Sequence, residues 1–379
     1  MIISNKISLF LFLLFFAESL FGDIDYKFTN TNITVAGDSS LQNENRSYLY
    51  NYNRARFYAN YVNVGYFCTA IGDAVNYYGD SYTGSNSFEH LKIFRSDTPF
   101  KTETNFKDYG NGAAYAKLYR LYGGYEDAKN RVVVGLQNIS MGVGRIWTPT
   151  NVFNPKNIYA IEPDETFGVS ALSYVRHLND TSHITLVAAQ NREHDFKYAG
   201  QYKGFLNFAD IAVNIVNSNN TKMVGYEIEG NLANTGIELR SEAGYIRSNL
   251  LHLDNRAYEE EFFQGILGAE YGFKNGITLV VETLYSSKKF SYDEVLLNLN
   301  SDILSNLVHS NFYTGATLSY SFNLFLDASL LYIESFDDKN LRFVSPSINY
   351  TLSEYNSFTL GAQMQNGKNN CFFKWSLSF

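Results

Sequence analysis

Residues 371–379, Cys-Phe-Phe-Lys-Trp-Ser-Leu-Ser-Phe, alternate in polarity, and no other part of the chain constrains the fold as strongly. Every second residue is apolar, while the positions between them are mostly polar. A period of two is that of a β-strand with one apolar and one polar face. Such a strand either packs one face on an ordinary protein core or presents that face to lipid. The apolar positions are Cys371, Phe373, Trp375, Leu377 and Phe379.

The start of the chain predicts export. Residues 1–22 have the pattern of a secretory signal peptide: Lys6 precedes an apolar run, and the small residues Ala17 and Ser19 follow it. This run is shorter than the roughly 20 residues of a membrane-spanning helix, and no later apolar run approaches that length. We therefore expect any membrane-spanning part of the mature chain to be a β-barrel.

The composition narrows the possible partners and chemistry. The chain has 379 residues, a formal net charge of −8 and 16 % aromatic residues. An acidic balance without a basic cluster argues against nucleic-acid binding, and for a channel it predicts a modest preference for cations. The sequence contains no recognisable catalytic motif, metal-ligand cluster or cofactor-binding motif. We therefore expect neither enzymatic activity nor a cofactor or metal.

Strand-like runs follow one another from about residue 167 to the last residue, and their connections alternate between short turns and longer loops. This alternation is typical of outer-membrane barrels, which have short periplasmic turns and longer outer loops. Runs further upstream, including 87–95, bring the count to 16–18 strands. The expected organisation is one barrel over residues 23–379, with a periplasmic lead-in at about 23–46. A barrel of this width encloses an aqueous lumen.

One segment, residues 140–165, interrupts the alternation. Three of the five prolines fall in it, and proline is excluded from central strands. The order of turns and loops places this segment on the outer side, after the fifth strand if the barrel has 18. It is either a loop that folds into the lumen or a surface loop packed around Trp147 and Phe153.

The signal-like start, the alternating strands and the aromatic last strand together resemble the porins of the Gram-negative outer membrane. The resemblance implies an outer-membrane location, contact with lipid, and passive diffusion of ions and small hydrophilic solutes, often through homotrimers. It also implies that the barrel-assembly machinery recognises the last strand through Phe373, Trp375, Leu377 and Phe379. In general porins, the loop in the position of 140–165 narrows the lumen.

Two sets of residues are candidates for controlling passage. The constriction-loop candidates are Arg145, Trp147, Asn154, Lys156, Glu162, Asp164 and Glu165. The candidates on the lumen wall are Arg54, Arg56, Glu227, Glu229, Glu238, Arg240 and Glu242. Opposed charges across a narrow pore select among ions and solutes, whereas the simpler interpretation is that these charges are only solvated.

Two other functions remain open beside a general diffusion channel. The many tyrosines favour a channel specific for sugars or other organic solutes, and a plugged lumen would favour a structural or adhesive barrel. A short amphipathic helix is predicted within residues 287–309. That helix could cover the mouth, contact a neighbouring subunit or cap its own loop.

Overall fold

The computed structural model describes residues 23–39, 46–93, 95–337 and 341–379, so the expected signal peptide lies outside the described residues. The strands form one antiparallel sheet that closes on itself, because the first strand pairs with both the second and the last. The fold prediction of a barrel with 16–18 strands is confirmed, and the number is 18. The strands are β1 (Asp23–Asp38), β2 (Ser47–Asn63), β3 (Tyr66–Tyr78), β4 (Gly112–Glu126), β5 (Asn130–Gln137), β6 (Val169–Asn179), β7 (Ser182–Gln190), β8 (Phe196–Leu206), β9 (Ala209–Asn217), β10 (Thr221–Asn231), β11 (Ile237–Leu251), β12 (Ala257–Gly272), β13 (Ile277–Ser286), β14 (Phe312–Ser321), β15 (Leu326–Ser335), β16 (Arg342–Ser353), β17 (Asn356–Gln365) and β18 (Lys368–Ser378).

Two sequence-based assignments are wrong. Residues 23–38 are not a lead-in but strand β1, which closes the barrel against β18. Residues 87–95 are not a strand, because Asn86–Ile93 forms a helix whose Phe88 is fully buried. The helices are α1 (Asp80–Thr83), α2 (Asn86–Ile93) and α3 (Tyr292–Leu297), with a 3₁₀ turn at Leu304–Asn306. None of the helices in the described part of the chain is long and apolar enough to cross a membrane.

The outward face of the barrel is apolar over most of its circumference. Large aliphatic side chains on β9 to β17 point away from the lumen and are exposed, as in Ile215, Leu267 and Leu360. A surface of this size would be unfavourable in water and is the surface that lipid requires. Aromatic residues are exposed near the end with the short turns, where the membrane–water interface would lie; they are Tyr66, Tyr125, Phe208, Phe322, Tyr355 and Phe379.

The outward face of β1 to β3 differs in character. It carries two cross-strand amide pairs, Asn30 with Asn53 and Asn32 with Asn51, in which each side chain donates to the other over 2.9–3.3 Å. We call these four residues the amide ladder. The outward positions of β3 that follow on from the ladder are small: Ala70, Gly72 and Ala74.

The long loops all leave the same end of the barrel, and they fill its mouth. Helices α1 and α2 belong to loop 79–111, and Phe88 packs against Tyr77 of the wall at a centroid distance of 5.3 Å. Helix α3 belongs to loop 287–311, whose Ile303 and Leu307 are buried against loop 138–168. The helix predicted within 287–309 therefore exists, in a loop that packs onto its neighbour inside the mouth.

Loop 138–168 leaves the wall early, because β5 has only eight residues. The outer part of β4 consequently has no β5 beside it. Residues 102–109 run along this edge instead: the amide of Thr104 donates to the carbonyl of Ala116, and the amide of Leu118 donates to the carbonyl of Thr102. The three-residue strand Lys107–Tyr109 completes the pairing with β4. The segment thus covers the edge that the inward loop leaves open.

Candidate functional site: the constriction loop

Loop 138–168, which we call the constriction loop, lies inside the barrel, which is the first of the two placements that the sequence left open. Its apolar side chains pack against side chains from the wall and from loop 287–311, so that most of them are buried. Thr150 and Asn151, at its centre, are almost completely inaccessible to solvent. The buried apolar residues of the loop are Ile139, Met141, Val143, Ile146, Val152 and Phe153.

Three glutamates of the wall hold one side of the loop by its main chain. Glu242 on β11 accepts hydrogen bonds from the amides of Val143, Gly144 and Thr150, at 2.8, 3.1 and 2.7 Å. Glu282 on β13 accepts from the next three amides, those of residues 145–147, at 2.6, 2.8 and 3.2 Å. Glu227 on β10 accepts from the amide of residue 142 at 2.8 Å. Because all three carboxylates are buried, these hydrogen bonds replace the water that they would otherwise bind.

Glycine is required twice in this attachment. Gly142 has a φ of +94°, and a Cβ there would lie 2.6 Å from a carboxylate oxygen of Glu242. A Cβ on Gly144 would lie 1.7 Å from the carbonyl oxygen of Trp147. Only glycine lets the chain turn this tightly and approach the wall this closely. The pair Gly142-Val-Gly144 is therefore the sequence signal of the attachment.

The side chain of Arg145 points back at the same wall. Its guanidinium lies 3.2–3.3 Å from the carboxylates of Glu229, Glu238 and Glu270. Arg240, which is buried, contacts Glu238 and lies 2.7 Å from Glu270. We call this part of β10 to β13 the acidic wall. Six glutamates of this wall lie close to two arginines, Arg240 of the wall and Arg145 of the loop. The glutamates are Glu227, Glu229, Glu238, Glu242, Glu270 and Glu282.

The other side of the loop contacts positively charged side chains of the barrel wall. Glu162 and Glu165 each lie 3.2 Å from the guanidinium of Arg54, and Glu165 lies 2.8 Å from that of Arg56. Arg56 also forms a buried pair with Asp73, at 2.6 Å. Lys374 on β18 approaches Glu162 at 3.8 Å. The basic wall, as we name it, consists of Arg54, Arg56, Lys117, Arg120 and Lys374 on β2, β4 and β18.

Electrostatics keep Glu165 ionised. Burial acts to raise the pKa of its carboxyl group, but the hydrogen bonds from Arg56 and the charges of Arg54 and Arg56 outweigh burial and hold the pKa below its usual 4.5. The loop is therefore attached to the basic wall by an ion pair that persists at neutral pH.

The two walls face each other across the lumen. Strands β2 and β11 are nine positions apart (11 − 2) in a ring of 18, so they are diametrically opposite. The constriction loop runs from one to the other. An arriving solute therefore meets an excess of negative charge on one side and of positive charge on the other.

The sequence-based candidates have different positions in the structure. Arg145, Glu162 and Glu165 and all seven wall residues lie in the two charged clusters. Lys156 and Asp164 pair only with each other in the ion pairs of the described residues, at 2.9 Å, and Asp164 is largely exposed.

Two further candidates support the shape of the loop. Asn154 accepts a hydrogen bond from the amide of Ile139 at 2.7 Å. Trp147 packs against Tyr313, with 6.1 Å between ring centroids.

Six charged wall residues were missed: Asp73, Lys117, Arg120, Glu270, Glu282 and Lys374. The sequence signal is clearest for Glu282. It is the one charged residue in the apolar strand Ile277–Ser286, and it faces the lumen. A single charge in an otherwise apolar strand is the signal that would have identified it.

Comparisons with known proteins support the same architecture. No protein-family model and no curated protein sequence matches the chain. Among solved structures, it is similar to OccAB1 of Acinetobacter baumannii, with a TM-score of 0.63, 9 % identity, and coverage of 94 % of this chain and 96 % of that one. It is also similar to OccK8 (OprE) of Pseudomonas aeruginosa, with a TM-score of 0.55, 8 % identity and coverage of 94 % and 98 %.

A third match is OpdK of Pseudomonas aeruginosa, solved with vanillate, with a TM-score of 0.53, 8 % identity and coverage of 94 % and 98 %. At these identities the likeness shows the fold. The chain therefore has the 18-stranded fold of outer-membrane porins, which confirms the resemblance seen in the sequence at the level of the fold.

Proposed function

We propose that this protein is a passive channel of the bacterial outer membrane, through which ions and small hydrophilic solutes diffuse. The observation that carries the proposal is the constriction loop, attached to two oppositely charged walls inside a wide barrel. A loop placed in this way narrows the lumen while its charges remain fixed. Fixed charges in a narrow aqueous passage determine which solutes enter and leave.

The charged residues of the two walls and of the loop are the selectivity residues in this proposal. The acidic wall has six glutamates against two arginines, and the glutamates of the loop offset part of the basic wall. The passage therefore carries an excess of negative charge, in agreement with the acidic composition. We expect a modest preference for cations.

Single-channel recording tests this function. The refolded mature protein is inserted into a planar lipid bilayer under a KCl gradient. Discrete conductance steps, with a reversal potential on the cation side, are expected. A folded barrel that shows no steps would contradict the channel and favour an adhesive barrel with a plugged lumen. A reversal potential on the anion side would contradict only the ion preference.

A channel for specific organic solutes is the second candidate function. It is favoured by a group of tyrosines on the outer side of the constriction loop, since a general diffusion pore does not need a solute site. This candidate predicts that a solute blocks the ion current in a saturable way. Current that stays proportional to voltage and that none of the tested solutes reduces would exclude it.

The same proposal includes assembly into homotrimers through the amide ladder. The amide groups of Asn32 and Asn53 each use only one of their two N–H donors in the described hydrogen bonds, and an unsatisfied donor is costly in hydrocarbon. An amide both donates and accepts, so the ladder of each copy offers donors and acceptors to a different surface of the next copy, as the head-to-tail contacts of a ring of three require. The small residues on β3 permit close approach of a neighbour.

Native mass spectrometry of the purified protein tests this assembly. The wild type should be trimeric and Asn51→Leu/Asn53→Leu should be monomeric with its single-channel conductance retained. Val213→Ala, on the outward face of β9, is the matched control and should remain trimeric. A monomeric wild type would contradict the trimer.

Recognition of β18 by the barrel-assembly machinery is the remaining part of the proposal. Phe379 exchanges backbone hydrogen bonds with Phe28, at 2.8 and 2.9 Å, and its ring stacks on Tyr355. Deleting Phe379 should lower the amount of barrel in the outer membrane without changing the conductance of the molecules that assemble. Normal amounts after the deletion would contradict this role.

A further inference from the structure

A cavity of about 500 Å³ lies between the constriction loop and the mouth of the barrel. This volume falls within the range of roughly 300–1,000 Å³ that is typical of small-molecule sites. Strands β1 to β3, β17 and β18 form its wall, and α2 and loop 287–311 close its other sides. Six tyrosines line it: Tyr48, Tyr50, Tyr52, Tyr77, Tyr82 and Tyr159.

The tyrosines form a continuous aromatic surface. Tyr50 and Tyr82 stack with 3.9 Å between their centroids, and Tyr52 and Tyr77 are 5.1 Å apart. Tyr159 belongs to the constriction loop, so the loop contributes a tyrosine to the lining of the cavity as well as the wall. Flat aromatic faces with hydroxyl groups at their edges bind ring compounds that are apolar on the face and polar on the rim.

The cavity has few charged groups, and its carboxylates already have hydrogen-bond partners. Among the described residues that line it, none is lysine or arginine. The carboxylate of Glu162 is paired with Arg54 at 3.2 Å, and that of Asp38 accepts hydrogen bonds from Ser47 and from the amide of Asn369. The exposed imidazole of His90 is the remaining titratable group apart from the tyrosines. The cavity therefore has no lysine or arginine for a carboxylate, and both of its carboxylates already accept hydrogen bonds.

One hydroxyl group in the cavity lacks a partner. The side chain of Tyr48 is 6 % exposed, and its oxygen has no hydrogen-bond partner among the described residues. A buried hydroxyl group without a partner is unfavourable and is rare in native structures. After a turn of the Tyr48 side chain, whose oxygen solvent does not reach in the structure, a ligand hydroxyl group in the cavity would supply the missing partner. The side-chain amides of Gln363 and Asn370, which also line the cavity, offer further donors and acceptors.

We propose that this cavity binds an uncharged, hydroxyl-rich ring compound, namely a sugar of one or two rings. The proposal rests on the proposed channel function, in which the cavity would hold the solute before it passes the constriction loop. The ring of the sugar would stack on the tyrosine faces, and its hydroxyl groups would bond to Tyr48 and the two amides.

Block of the ion current in a planar bilayer tests the proposal, with glucose, maltose, benzoate and choline as probes. Maltose or glucose should reduce the KCl current in a saturable way, and benzoate and choline should not do so at the same concentrations. Tyr48→Phe removes a single hydroxyl group and should weaken the block about three- to tenfold, the equivalent of one hydrogen bond. Tyr58→Phe is the matched control, since Tyr58 lies on the same face of β2 outside the cavity, and its block should equal that of the wild type.

Four results would overturn the proposal or part of it. Normal KCl steps without block by either sugar would leave the channel intact and exclude the sugar site. Stronger block by benzoate or choline would show that the ligand is charged. Equal weakening in the two tyrosine variants would remove Tyr48 from the site. If no current is seen, calorimetric titration of the detergent-solubilised barrel with maltose separates the two claims. Heat of binding would support the sugar site and exclude the channel, whereas the absence of heat would exclude both.

Discussion

The constriction loop is attached to the acidic wall and to the basic wall by different chemistry. At the acidic wall, buried carboxylates bind seven backbone amides of the loop. At the basic wall, the loop supplies the carboxylates of Glu162 and Glu165, and the contacts are ion pairs of these partly exposed glutamates with the buried Arg54 and Arg56. The first attachment depends on geometry and burial, whereas the second depends on charge. The two attachments should therefore respond differently to mutation, pH and salt.

Removing a carboxylate from the acidic wall should have the largest effect. Glu282→Ala leaves the amides of residues 145–147 without an acceptor, and each buried donor without a partner costs about 1–3 kcal/mol. We expect the free energy of unfolding to fall by roughly 3 kcal/mol or more. In a Trp375→Phe background, Trp147 is the only tryptophan, and iodide should quench its fluorescence more strongly once the loop is released.

Glu261→Ala is the control for that experiment. Glu261 points outward on β12 and contacts no part of the loop in the described hydrogen bonds, where it accepts from Tyr245. Its loss should change the free energy of unfolding by less than about 0.5 kcal/mol. Unchanged quenching and stability in Glu282→Ala would show that the amide contacts do not hold the loop.

Breaking the attachment to the basic wall should have a smaller effect on stability. Glu165→Gln removes the partner of Arg56, but Arg56 retains its buried pair with Asp73. Arg54 likewise retains Glu162, and glutamine still accepts a hydrogen bond, so the free energy of unfolding should fall by about 1–2 kcal/mol and the loop should remain in place. The freed positive charge should move the reversal potential in a KCl gradient toward the anion side. A shift toward the cation side would contradict the assignment of the basic wall.

The same ion pair gives a prediction for pH. The pKa of Glu165 in the folded protein lies below its usual 4.5, so the ion pair stabilises the loop at every pH above that value. This stabilisation is lost as the pH falls through the lowered pKa. The difference in ion preference between the wild type and Glu165→Gln, measured at each pH, should therefore be constant from neutral pH down to about 5 and disappear only below 4.5. A difference that is already lost near neutral pH would contradict the prediction.

Shortening Arg145 should have the smallest effect on stability. Its side chain is half exposed, and its backbone amide remains bound to Glu282 in Arg145→Ala. The free energy of unfolding should change by about 1 kcal/mol or less, while three glutamates lose a positive neighbour and the preference for cations increases. Arg145→Lys should keep the wild-type reversal potential. Equal potentials in wild type and Arg145→Ala would show that Arg145 lies outside the ion path.

The comparison also explains what the sequence could and could not reveal. Alternation predicted the barrel, and the wall candidates proved to face the lumen because side chains in a strand alternate strictly. Strand β1 was missed because its polarity is inverted: Asn30 and Asn32 point outward, while Ile33 and Val35 point inward. A pattern that assumes an apolar outer face assigns such a strand to a polar lead-in.

The attachment of the loop to the acidic wall could not be predicted from the sequence, for a different reason. Its donors are backbone amides, which every residue except proline possesses, so no residue type marks them. Only Gly142 and Gly144 mark this attachment in the sequence, because the space around their Cα atoms leaves no room for a side chain. The contacts at the basic wall join residues about 110 positions apart, such as Arg56 and Glu165, and depend on how the barrel closes.

The segment that covers the outer edge of β4 limits how this barrel can be altered. Residues 102–109 belong to loop 79–111, yet they complete the wall where the constriction loop departs. An uncovered edge would expose unpaired backbone groups, which a membrane does not tolerate. The two loops are thus one module: a graft that replaces loop 79–111 must bring its own edge cover, whereas the short turns at the opposite end can be exchanged one at a time.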